Sequence, residues 1–416
     1  MTSMETYDVV VVGGGPSGAT AATDLARRGH SVLLLDRAGR IKPCGGAIPP
    51  ILIKEFEIPE ALLVARVTSA RMVSPAGREV DMPIDGGFVG MVDREVFDEW
   101  LRERAAAAGA VRRAGTFERI SRGNDGVAIV EYRSRSARKS DEPERVRART
   151  IIGADGAASA VARQEVPGAA RMSYVYAYHE IVRSPRSDVP SSKSPASSDS
   201  NNVQRRAGFD GSRCDVYYRG SLSPDFYGWI FPHGDTTSVG SGSAHKGFSI
   251  RSAVGALREV AGLDATETIR REGAPIPLRP LRRWDNGRDV VLAGDAAGVV
   301  APASGEGIYY AMAGGRLAAD AVEAVLATGD VRALRSARKR FMRAHGKVFL
   351  VLGIMQRFWY ANDKRRERFV SICKDPDVQQ LTWQAYMHKK LVRAKPLAHM
   401  RIFFKDLAHL VGLVSP

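Results

Sequence analysis

The sequence predicts an α/β protein of two intimately joined domains followed by a basic helical region. Three observations support this fold class: a strand, a glycine turn and a helix open the chain, alternating strand-like segments fill its centre, and positive charge is concentrated after residue 330. With 416 residues the chain is long for one domain and can bury a large core. Its 44% hydrophobic and 26% charged residues are typical of a globular protein.

The opening segment, residues 7–36, has the order of a Rossmann-like unit. Four valines at 9–12 form a buried strand that runs into a glycine turn, and a helix is predicted over 19–28. The G-x-G-x-x-G spacing allows a tight turn, the approach of a pyrophosphate and close packing of the helix, whose N-terminus attracts the anion. A second strand, 31–35, ends in an acid that can accept ribose hydroxyls. The pattern predicts a dinucleotide, either FAD or NAD, at Gly13, Gly15, Ser17, Gly18, Asp36 and Arg37.

The cysteines and the apolar runs restrict the cellular context. Cys44, Cys214 and Cys373 are too few and too scattered for a disulfide framework, which indicates a reducing compartment. Only six residues precede the first predicted strand, which leaves no room for a signal peptide. No uninterrupted apolar run approaches the roughly 18 residues of a membrane-spanning helix. We therefore expect a cytoplasmic protein, and we predict no metal site.

The net charge of +15 lies almost entirely in the last segment. Residues 331–416 contain 19 Lys or Arg against 5 Asp or Glu, a difference of +14. Solvated helix faces are one interpretation. Nucleic acid is disfavoured because no recognition module is present and aromatic residues do not interleave with the basic ones. Apolar stretches at 349–352 and 402–404 alternate with the basic clusters, so we expect peripheral contact with an anionic membrane surface. The clusters are Arg335, Arg338, Lys339, Arg340 and Arg343; Lys364, Arg365 and Arg366; and Lys389, Lys390, Arg393 and Lys395.

Between these ends, a loop, a helix and several strands are predicted to complete the first domain. Residues 38–50 form a loop centred on Lys42-Pro43-Cys44-Gly45-Gly46, where two glycines let the backbone lie flat against a large neighbour; an ordinary turn with a buried thiol is the alternative. Apolar residues at helical spacing predict a helix from 94 to 109. Strands at 111–117 and 127–132 follow, and 134–149 is a charged loop or hairpin arm. A strand at 150–156 then ends in Asp155-Gly156.

The central block is predicted to form the β-rich domain. Segments 173–182 and 213–219 alternate as antiparallel strands would, and 185–206 is rich in Ser, Pro and Asn and is interpreted as a mobile insertion. Within 224–232, Tyr227, Trp229 and Phe231 occupy alternate positions, so on a strand their rings point to one side. Such a stripe is usually core, but the flanking prolines and the density of rings favour a wall for an apolar ligand.

The last motif, 289–298, is a strand that delivers Gly294-Asp295 to the start of a helix, with Gly305 and Gly307 close behind. The aspartate can accept hydrogen bonds from a sugar-alcohol chain, and the helix start directs N–H groups at an anion. NAD enzymes need no such second site. FAD does, because its ribityl chain and flavin ring lie far from the adenosine, so the dinucleotide is predicted to be FAD.

These motifs together resemble the FAD-dependent group that contains the aromatic hydroxylases and the geranylgeranyl reductases. Residues 224–232 match the P-x-x-Y-x-W-x-F-P pattern of geranylgeranyl reductases, and 42–46 resemble their cysteine–glycine–glycine loop. Gly298 stands where many hydroxylases have histidine, and Tyr309 where they commonly have asparagine. The resemblance covers 7–327 and, less distinctly, 388–413, which looks like the bacteriochlorophyll-pathway members.

The resemblance implies an aromatic-hydroxylase-like fold with an FAD domain, an inserted antiparallel β-sheet substrate domain and a C-terminal helical region. The FAD domain would comprise 1–72, 88–118, 145–170 and 285–330, the substrate domain 73–87 and 171–284, and the helical region 331–416. The implied reaction is NADPH-dependent saturation of all but one of the double bonds of a geranylgeranyl chain, attached to a (bacterio)chlorophyllide or supplied as the diphosphate. Ferredoxin is a second possible electron donor. Two alternatives stay open: a flavin monooxygenase and a non-catalytic prenyl-chain carrier.

The chemistry of an isolated alkene suggests roles for individual residues. No carbonyl activates such a double bond, so protonation to a tertiary cation followed by hydride addition is a plausible route, and aromatic ring faces stabilise the cation. We expect Cys44 beside the flavin as acid or positioning group, with Gly45 and Gly46 letting the loop close over the ring. A free thiol has a pKa of about 8.5, so a water or a tyrosine could equally donate the proton. The resemblance assigns Arg94 to FAD contact; the alternative is a surface residue paired with Glu95 or Asp98.

Overall fold

The structure is a computed structural model that describes residues 4–37, 39, 41–138, 141–185 and 209–389. Residues 186–206 of the predicted insertion lie outside the described residues, and so do the basic residues from Lys390 onward and the apolar stretch at 402–404.

The described residues form three sheets and a set of packed helices. The strands are β1 (Thr6–Val12), β2 (Val32–Asp36), β3 (Ala47–Ile48), β4 (Leu63–Val67), β5 (Ser69–Val73), β6 (Glu79–Pro83), β7 (Val89–Val92), β8 (Val111–Arg122), β9 (Ala128–Ser134), β10 (Glu144–Gly153), β11 (Tyr174–Arg183), β12 (Arg213–Tyr217), β13 (Gly228–His233), β14 (Thr236–Ser243), β15 (Thr268–Pro277) and β16 (Val290–Leu292). The α-helices are α1 (Pro16–Arg27), α2 (Pro50–Glu55), α3 (Arg94–Ala107), α4 (Ala160–Glu165), α5 (Ile250–Ala261), α6 (Ile308–Thr328), α7 (Arg335–Trp359), α8 (Asp363–Ile372) and α9 (Pro376–His388).

The first sheet is built around β1. Strands β2 and β10 flank β1, and β8 and β16 extend the sheet outward, all in parallel. Strand β9 pairs antiparallel with the end of β8 and with the start of β10. The segment 134–149, expected as a charged loop or hairpin arm, therefore connects β9 to β10 in a hairpin. The four valines of β1 are at most 2% exposed, as expected for a central strand of a parallel sheet, which is buried on both faces. The predicted α/β class and Rossmann-like unit are therefore confirmed.

The second sheet has the order β15-β11-β14-β13-β12-β5-β6. Its pairings are antiparallel except for β12 with β5, and helix α5 packs on β14 and β11. Strand β5 begins at Ser69, so this sheet starts four residues before the boundary predicted at 73. The predicted domains left residues 119–144 unassigned; within them, residues 119–122 end β8 and residues 128–134 form β9 of the first sheet. A small third sheet, β3-β7-β4, is formed by strands that flank β5 and β6 in the chain.

The C-terminal helices close the junction between the two large sheets. Helix α7 packs on α6, and Phe341 and Phe349 are buried in the core of the first sheet. Further along, Trp359, Tyr360 and Val370 join the hydrophobic cluster that contains the rings of β13. Within the described part of the chain, no helix is both long enough and apolar enough to span a bilayer.

Candidate active site

The glycine turn between β1 and α1 combines two tight contacts with one open position. Gly13 has φ +105°, and a Cβ there would lie 2.3 Å from the Ala154 carbonyl oxygen. A Cβ at Gly18 would lie 1.8 Å from the Gly13 oxygen. At Gly15, in contrast, a Cβ would meet no heavy atom within 4 Å. The first and third glycines thus allow the chain to pack on itself, whereas the second leaves an open cradle at the N-terminus of α1, which fits the pyrophosphate of FAD.

Asp36 holds the turn from the end of β2. Its Oδ2 accepts a hydrogen bond of 2.6 Å from the Gly14 N–H, and Arg102 of α3 donates to the Gly14 carbonyl at 3.3 Å. Arg37 follows with its side chain exposed. Sequence reasoning found Asp36 from its distance to the glycines but missed Arg102, which is one of several charged residues on α3.

The Asp155 carboxylate caps helix α4. It accepts hydrogen bonds from the backbone N–H groups of Ala160 at 2.7 Å and Val161 at 3.2 Å, and from the Ser159 hydroxyl. Burial raises the pKa of Asp155, although these three donors act in the opposite direction. The side chain assigned to the cofactor from sequence is thus engaged by its own helix start, and its contact with FAD stays a prediction.

Gly294 and Asp295 connect the nucleotide end to the rest of the site. A Cβ at Gly294 would lie 2.4 Å from the Ser17 Oγ, so this glycine lets the turn pack directly on α1. Asp295 is 7% exposed and forms an ion pair with Lys42 from the cysteine loop. The sequence pattern predicts Lys42 only as part of that loop and does not indicate its ion pair with Asp295.

A cavity of about 580 Å³ lies where the two large sheets meet α7, α8 and α9. It is lined mainly by apolar side chains. Ten of the site residues predicted from sequence line it: Cys44, Gly45, Gly46, Arg94, Tyr227, Trp229, Phe231, Asp295, Gly305 and Gly307. The other predicted positions do not line it and lie around the glycine turn, which we call the nucleotide end: Gly13, Gly15, Ser17, Gly18, Asp36, Arg37, Asp155 and Gly294.

One wall of this cavity is formed by three rings, those of Trp229 and Phe231 in β13 and that of Tyr227 directly before it. The ring centroids of Tyr227 and Trp229 are 6.0 Å apart, and those of Trp229 and Phe231 are 6.3 Å apart. The Tyr227 hydroxyl donates to the Ser304 carbonyl at 2.6 Å, and burial raises the pKa of Tyr227. The Trp229 indole N–H donates to the Ser238 hydroxyl at 3.1 Å. Each polar atom is satisfied, so the wall presents carbon surface to the cavity.

The cysteine loop packs on Phe231 of this wall and on His233. A Cβ at Gly45 would lie 2.8 Å from the Phe231 ring, and one at Gly46, where φ is +70°, would lie 2.6 Å from the Nε2 of His233. The sequence predicts that these two glycines let the backbone lie against a large neighbour, and in the structure the side chains of Phe231 and His233 lie there. The Cys44 Sγ accepts a hydrogen bond of 3.4 Å from the Gly46 N–H. His233 was not singled out from sequence, although it directly follows the aromatic motif.

Arg94 lies beneath the loop and is buried. It forms a bidentate pair with Asp98 at 2.8 and 2.7 Å, so the alternative of a pair with Asp98 is correct but its location at the surface is wrong. Burial alone would lower the pKa of Arg94, but the Asp98 carboxylate and the Cys44 thiol raise it overall. Arg94 is thus a permanent cation beside Cys44.

The C-terminal helices contribute a third side of the cavity, which the sequence interpretation did not anticipate. The lining includes an apolar set on these helices with helical spacing on α7: Leu352, Met355, Trp359, Phe369, Trp383 and Tyr386. The region expected to meet a membrane therefore also encloses the candidate site. The sequence signal that could have identified this side of the cavity is the i, i+3, i+7 spacing of Leu352, Met355 and Trp359, which indicates one apolar helix face.

The comparisons with known proteins cover nearly the whole chain. Residues 7–189 match the family model of pyridine nucleotide-disulphide oxidoreductases. The chain is 56% identical over 410 residues to the geranylgeranyl diphosphate reductase of Rhodobacter capsulatus, with 99% of each chain covered.

Among solved structures, a geranylgeranyl bacteriochlorophyll reductase-like protein from Thermoplasma acidophilum superposes with a TM-score of 0.77 at 23% identity, covering 94% of this chain and 98% of that one. A flavin-dependent brominase superposes with a TM-score of 0.71 at 18% identity, covering 96% and 99%. At these identities the two structures show a shared fold, which is the predicted flavoprotein architecture.

Proposed function

The chain belongs to the geranylgeranyl diphosphate reductase family, and on this premise we propose that it uses FAD to saturate isolated double bonds of a geranylgeranyl group, giving phytyl for (bacterio)chlorophyll synthesis. The observation that carries this proposal is the apolar cavity, which places the aromatic wall and the cysteine loop within one enclosure next to Asp295. A polar or charged substrate would find few partners among the residues that line it.

FAD fits the residues at both ends of the site. The open cradle at Gly15 suits the pyrophosphate, Asp36 lies where ribose hydroxyls would be bound, and Asp295 with the segment 305–307 suits the flavin side. When bound, the reduced flavin supplies a hydride. Lys42 and Arg94 also lie on this side of the site, each paired with a carboxylate, that of Asp295 and that of Asp98.

The protein's own residues would make the alkene reactive by enclosing it. The faces of Tyr227, Trp229 and Phe231 can stabilise positive charge on a tertiary carbon, and more strongly in a desolvated cavity than in water. Burial between the sheets and α7 excludes water that would trap such a cation. The proposed role of Cys44, next to the Arg94 cation, is to lie beside the flavin as acid or positioning group.

The proposal also specifies the electron donor and the form in which the geranylgeranyl substrate is supplied. We take NADPH as the donor, with ferredoxin as the alternative to be tested.

Val351 of α7 lines the cavity and is 39% exposed, so the cavity reaches the surface at this helix. The same helix face carries Leu350 and Ile354, at 65% and 60% exposed. An opening beside exposed apolar residues suits a substrate that resides in a membrane.

Anaerobic incubation of the purified protein with NADPH and geranylgeranylated bacteriochlorophyllide, followed by mass analysis, tests the proposal. We expect successive mass gains of two hydrogens. Reduction of the free diphosphate alone would overturn the choice of substrate. Oxygen consumption in proportion to substrate would favour a monooxygenase, and a colourless protein without flavin would favour a prenyl-chain carrier.

A further inference from the structure

Three polar side chains form a row of hydrogen bonds across the second sheet and end on the aromatic wall. The carboxylate of Glu272 on β15 lies 2.9 Å from Nε2 of His179 on β11, and Nδ1 of His179 lies 2.9 Å from the Ser238 hydroxyl on β14. The Trp229 indole N–H donates to the same hydroxyl at 3.1 Å. His179 and Ser238 are buried, and the side chain of Glu272 is 12% exposed. We call Glu272, His179 and Ser238 the relay.

The register of the sheet places the relay and Trp229 on one face. His179 lies opposite Glu272 on one side and opposite Gly240 on the other, and Trp229 lies opposite Gly240 on the next strand. A Cβ at Gly240 would lie 2.2 Å from the Trp229 ring, so the missing side chain lets the indole lie over β14. Ser238 is two residues from Gly240 on β14 and faces the same way. The indole N–H therefore meets the hydroxyl of Ser238.

The chemistry of the four groups fixes the direction of each hydrogen bond. An indole N–H only donates and a carboxylate only accepts, so Trp229 donates to Ser238, and Nε2 of His179 donates to Glu272. The Glu272 carboxylate also forms an ion pair of 2.7 Å with Arg270. Nδ1 of a neutral imidazole is an acceptor, and it takes the single hydroxyl proton of Ser238. Within the described part of the chain, this proton has no other acceptor. All three donors thus point towards the charge of Glu272.

This direction increases the electron density of the Trp229 ring. Hydrogen bonds in a row polarise one another, and a low local dielectric strengthens the effect. The charge of Glu272 therefore makes the Ser238 oxygen a stronger acceptor, which draws the indole proton away from the ring. An electron-rich ring face attracts a cation more strongly. In contrast, the Tyr227 hydroxyl donates to a neutral backbone carbonyl, and Phe231 has no polar group.

We propose that the relay positions and polarises Trp229, and that the alkene carbon that becomes positively charged lies against the Trp229 ring. This inference rests on the proposed function. Trp229 lines the cavity and is the catalytic residue that stabilises the charge. Glu272, His179 and Ser238 act through it and are positioning residues. The relay neither gives nor takes a proton in this role, because it acts on the ring alone.

The first test is Glu272→Gln in the full-length, flavin-loaded protein. Glutamine keeps the shape of the side chain and its oxygen can still accept from His179, but the charge is lost. We expect kcat for alkene saturation to fall about tenfold, with KM and flavin content unchanged. Glu180→Gln is the matched control. Glu180 is 13% exposed and paired with an arginine, but it follows His179 on β11 and so faces away from the relay, and its substitution should leave kcat unchanged.

A double-mutant cycle separates the relay from the packing of the sheet. Trp229→Phe keeps an aromatic ring but removes the N–H through which the relay acts. When Glu272→Gln is added to Trp229→Phe, we therefore expect no further loss of kcat. An equal loss in both backgrounds would show that Glu272 acts through the sheet alone and would overturn the proposal.

A third readout needs no turnover. In a proton–nitrogen NMR spectrum, the indole N–H resonance of Trp229 is the one that Trp229→Phe removes. A weaker hydrogen bond shields this proton, so the resonance should move upfield in Glu272→Gln and keep its position in Glu180→Gln. An unchanged resonance in Glu272→Gln would also overturn the proposal. If the wild-type protein reduces no alkene, the proposed function fails, whereas the resonance, recorded without substrate, still shows whether the relay polarises Trp229.

Discussion

The nucleotide end and the cavity end of this site are built in different ways. At the nucleotide end, one continuous segment from Gly13 to Asp36 supplies the turn, the helix start and the acid, and backbone groups make most of the contacts. At the cavity end, the cysteine loop, β13, the segment 304–307 and three C-terminal helices contribute side chains from across the chain. We assign the first end to a cofactor common to many flavoproteins and the second end to the choice of reaction.

The two ends meet at few residues. Lys42 and Asp295 join the cysteine loop to the turn before α6, and Gly294 packs that turn on Ser17 of α1. Because the connection is narrow, substitutions at one end should leave the other intact. Changes at the nucleotide end should remove the flavin, and changes at the cavity end should remove catalysis while flavin is retained.

The largest expected effect comes from two alanines in the glycine turn. In Gly18→Ala the new Cβ would lie 1.8 Å from a backbone oxygen that cannot easily move, so we expect destabilisation of about 3 kcal/mol or more and loss of flavin. In Gly15→Ala the new methyl meets no protein atom, so the free energy of unfolding should be unchanged while flavin binding is lost. Urea unfolding of the flavin-free proteins and flavin absorbance measure the two quantities separately.

Gly255→Ala is the control for this pair. Gly255 is inside α5, and a Cβ there would meet nothing within 4 Å, so the substitution should raise stability by about 0.5–1 kcal/mol through helix propensity and leave flavin content alone. Normal flavin binding by Gly15→Ala would show that the open cradle does not hold the pyrophosphate.

The same contrast explains which features could be predicted from the sequence. The glycine spacing, Asp36 and the alternating rings at 227–231 are short-range patterns whose geometry follows from the strand or turn they occupy. Lys42 lies within one motif and His233 and Glu306 lie next to others, but nothing in their spacing indicates the partners that tertiary packing brings to them. The apolar residues of α7 to α9 were obscured by the surrounding positive charge, which favoured a membrane interpretation. The resemblance assigns Asp155 to the cofactor, but a carboxylate at the end of a strand can also cap the next helix. In the structure Asp155 caps α4.

The next largest effect is expected at the cysteine loop. A Cβ in Gly46→Ala would lie 2.4 Å from the Val92 carbonyl oxygen in a left-handed backbone conformation, so the loop must shift. A displacement of about 1 Å in a site can cost about 100-fold in rate, and we expect that loss in kcat with flavin content unchanged. Gly45→Ala meets only the Phe231 ring, which can rotate, so its loss should be smaller. Equal losses in both variants would argue against a loop position fixed by backbone.

Acid should weaken the cavity end through His233. Burial lowers the pKa of His233 to about 4 from 6.5, so between these values the unfolded chain binds a proton that the folded chain does not. Stability is then complete above pH 6.5 and falls as the pH drops towards 4, by about 3 kcal/mol in total. Urea unfolding at pH 7 and pH 4.5 should show a smaller loss for His233→Gln than for the wild-type protein. Identical losses would mean that other groups cause the acid sensitivity.

The smallest effect on the folded protein, and the one that tests the exterior of the cavity end, is expected on α7. Arg343, Lys347, Leu350, Ile354 and Arg357 follow one another at intervals of three or four residues, so they share one helix face, and all are exposed. In Leu350→Ser/Ile354→Ser, stability and flavin content should stay unchanged, because neither side chain is part of the core. Binding to anionic vesicles should weaken by at least about tenfold, since the substitutions remove two aliphatic groups that the bilayer would bury.

Val96→Ser on α3 is the control: it removes a similarly exposed apolar residue, 57% exposed, and should have no effect on vesicle binding. Sedimentation with anionic and with neutral vesicles separates the apolar from the electrostatic contribution, and equal binding by the double variant and the wild type would place the membrane contact elsewhere on the chain.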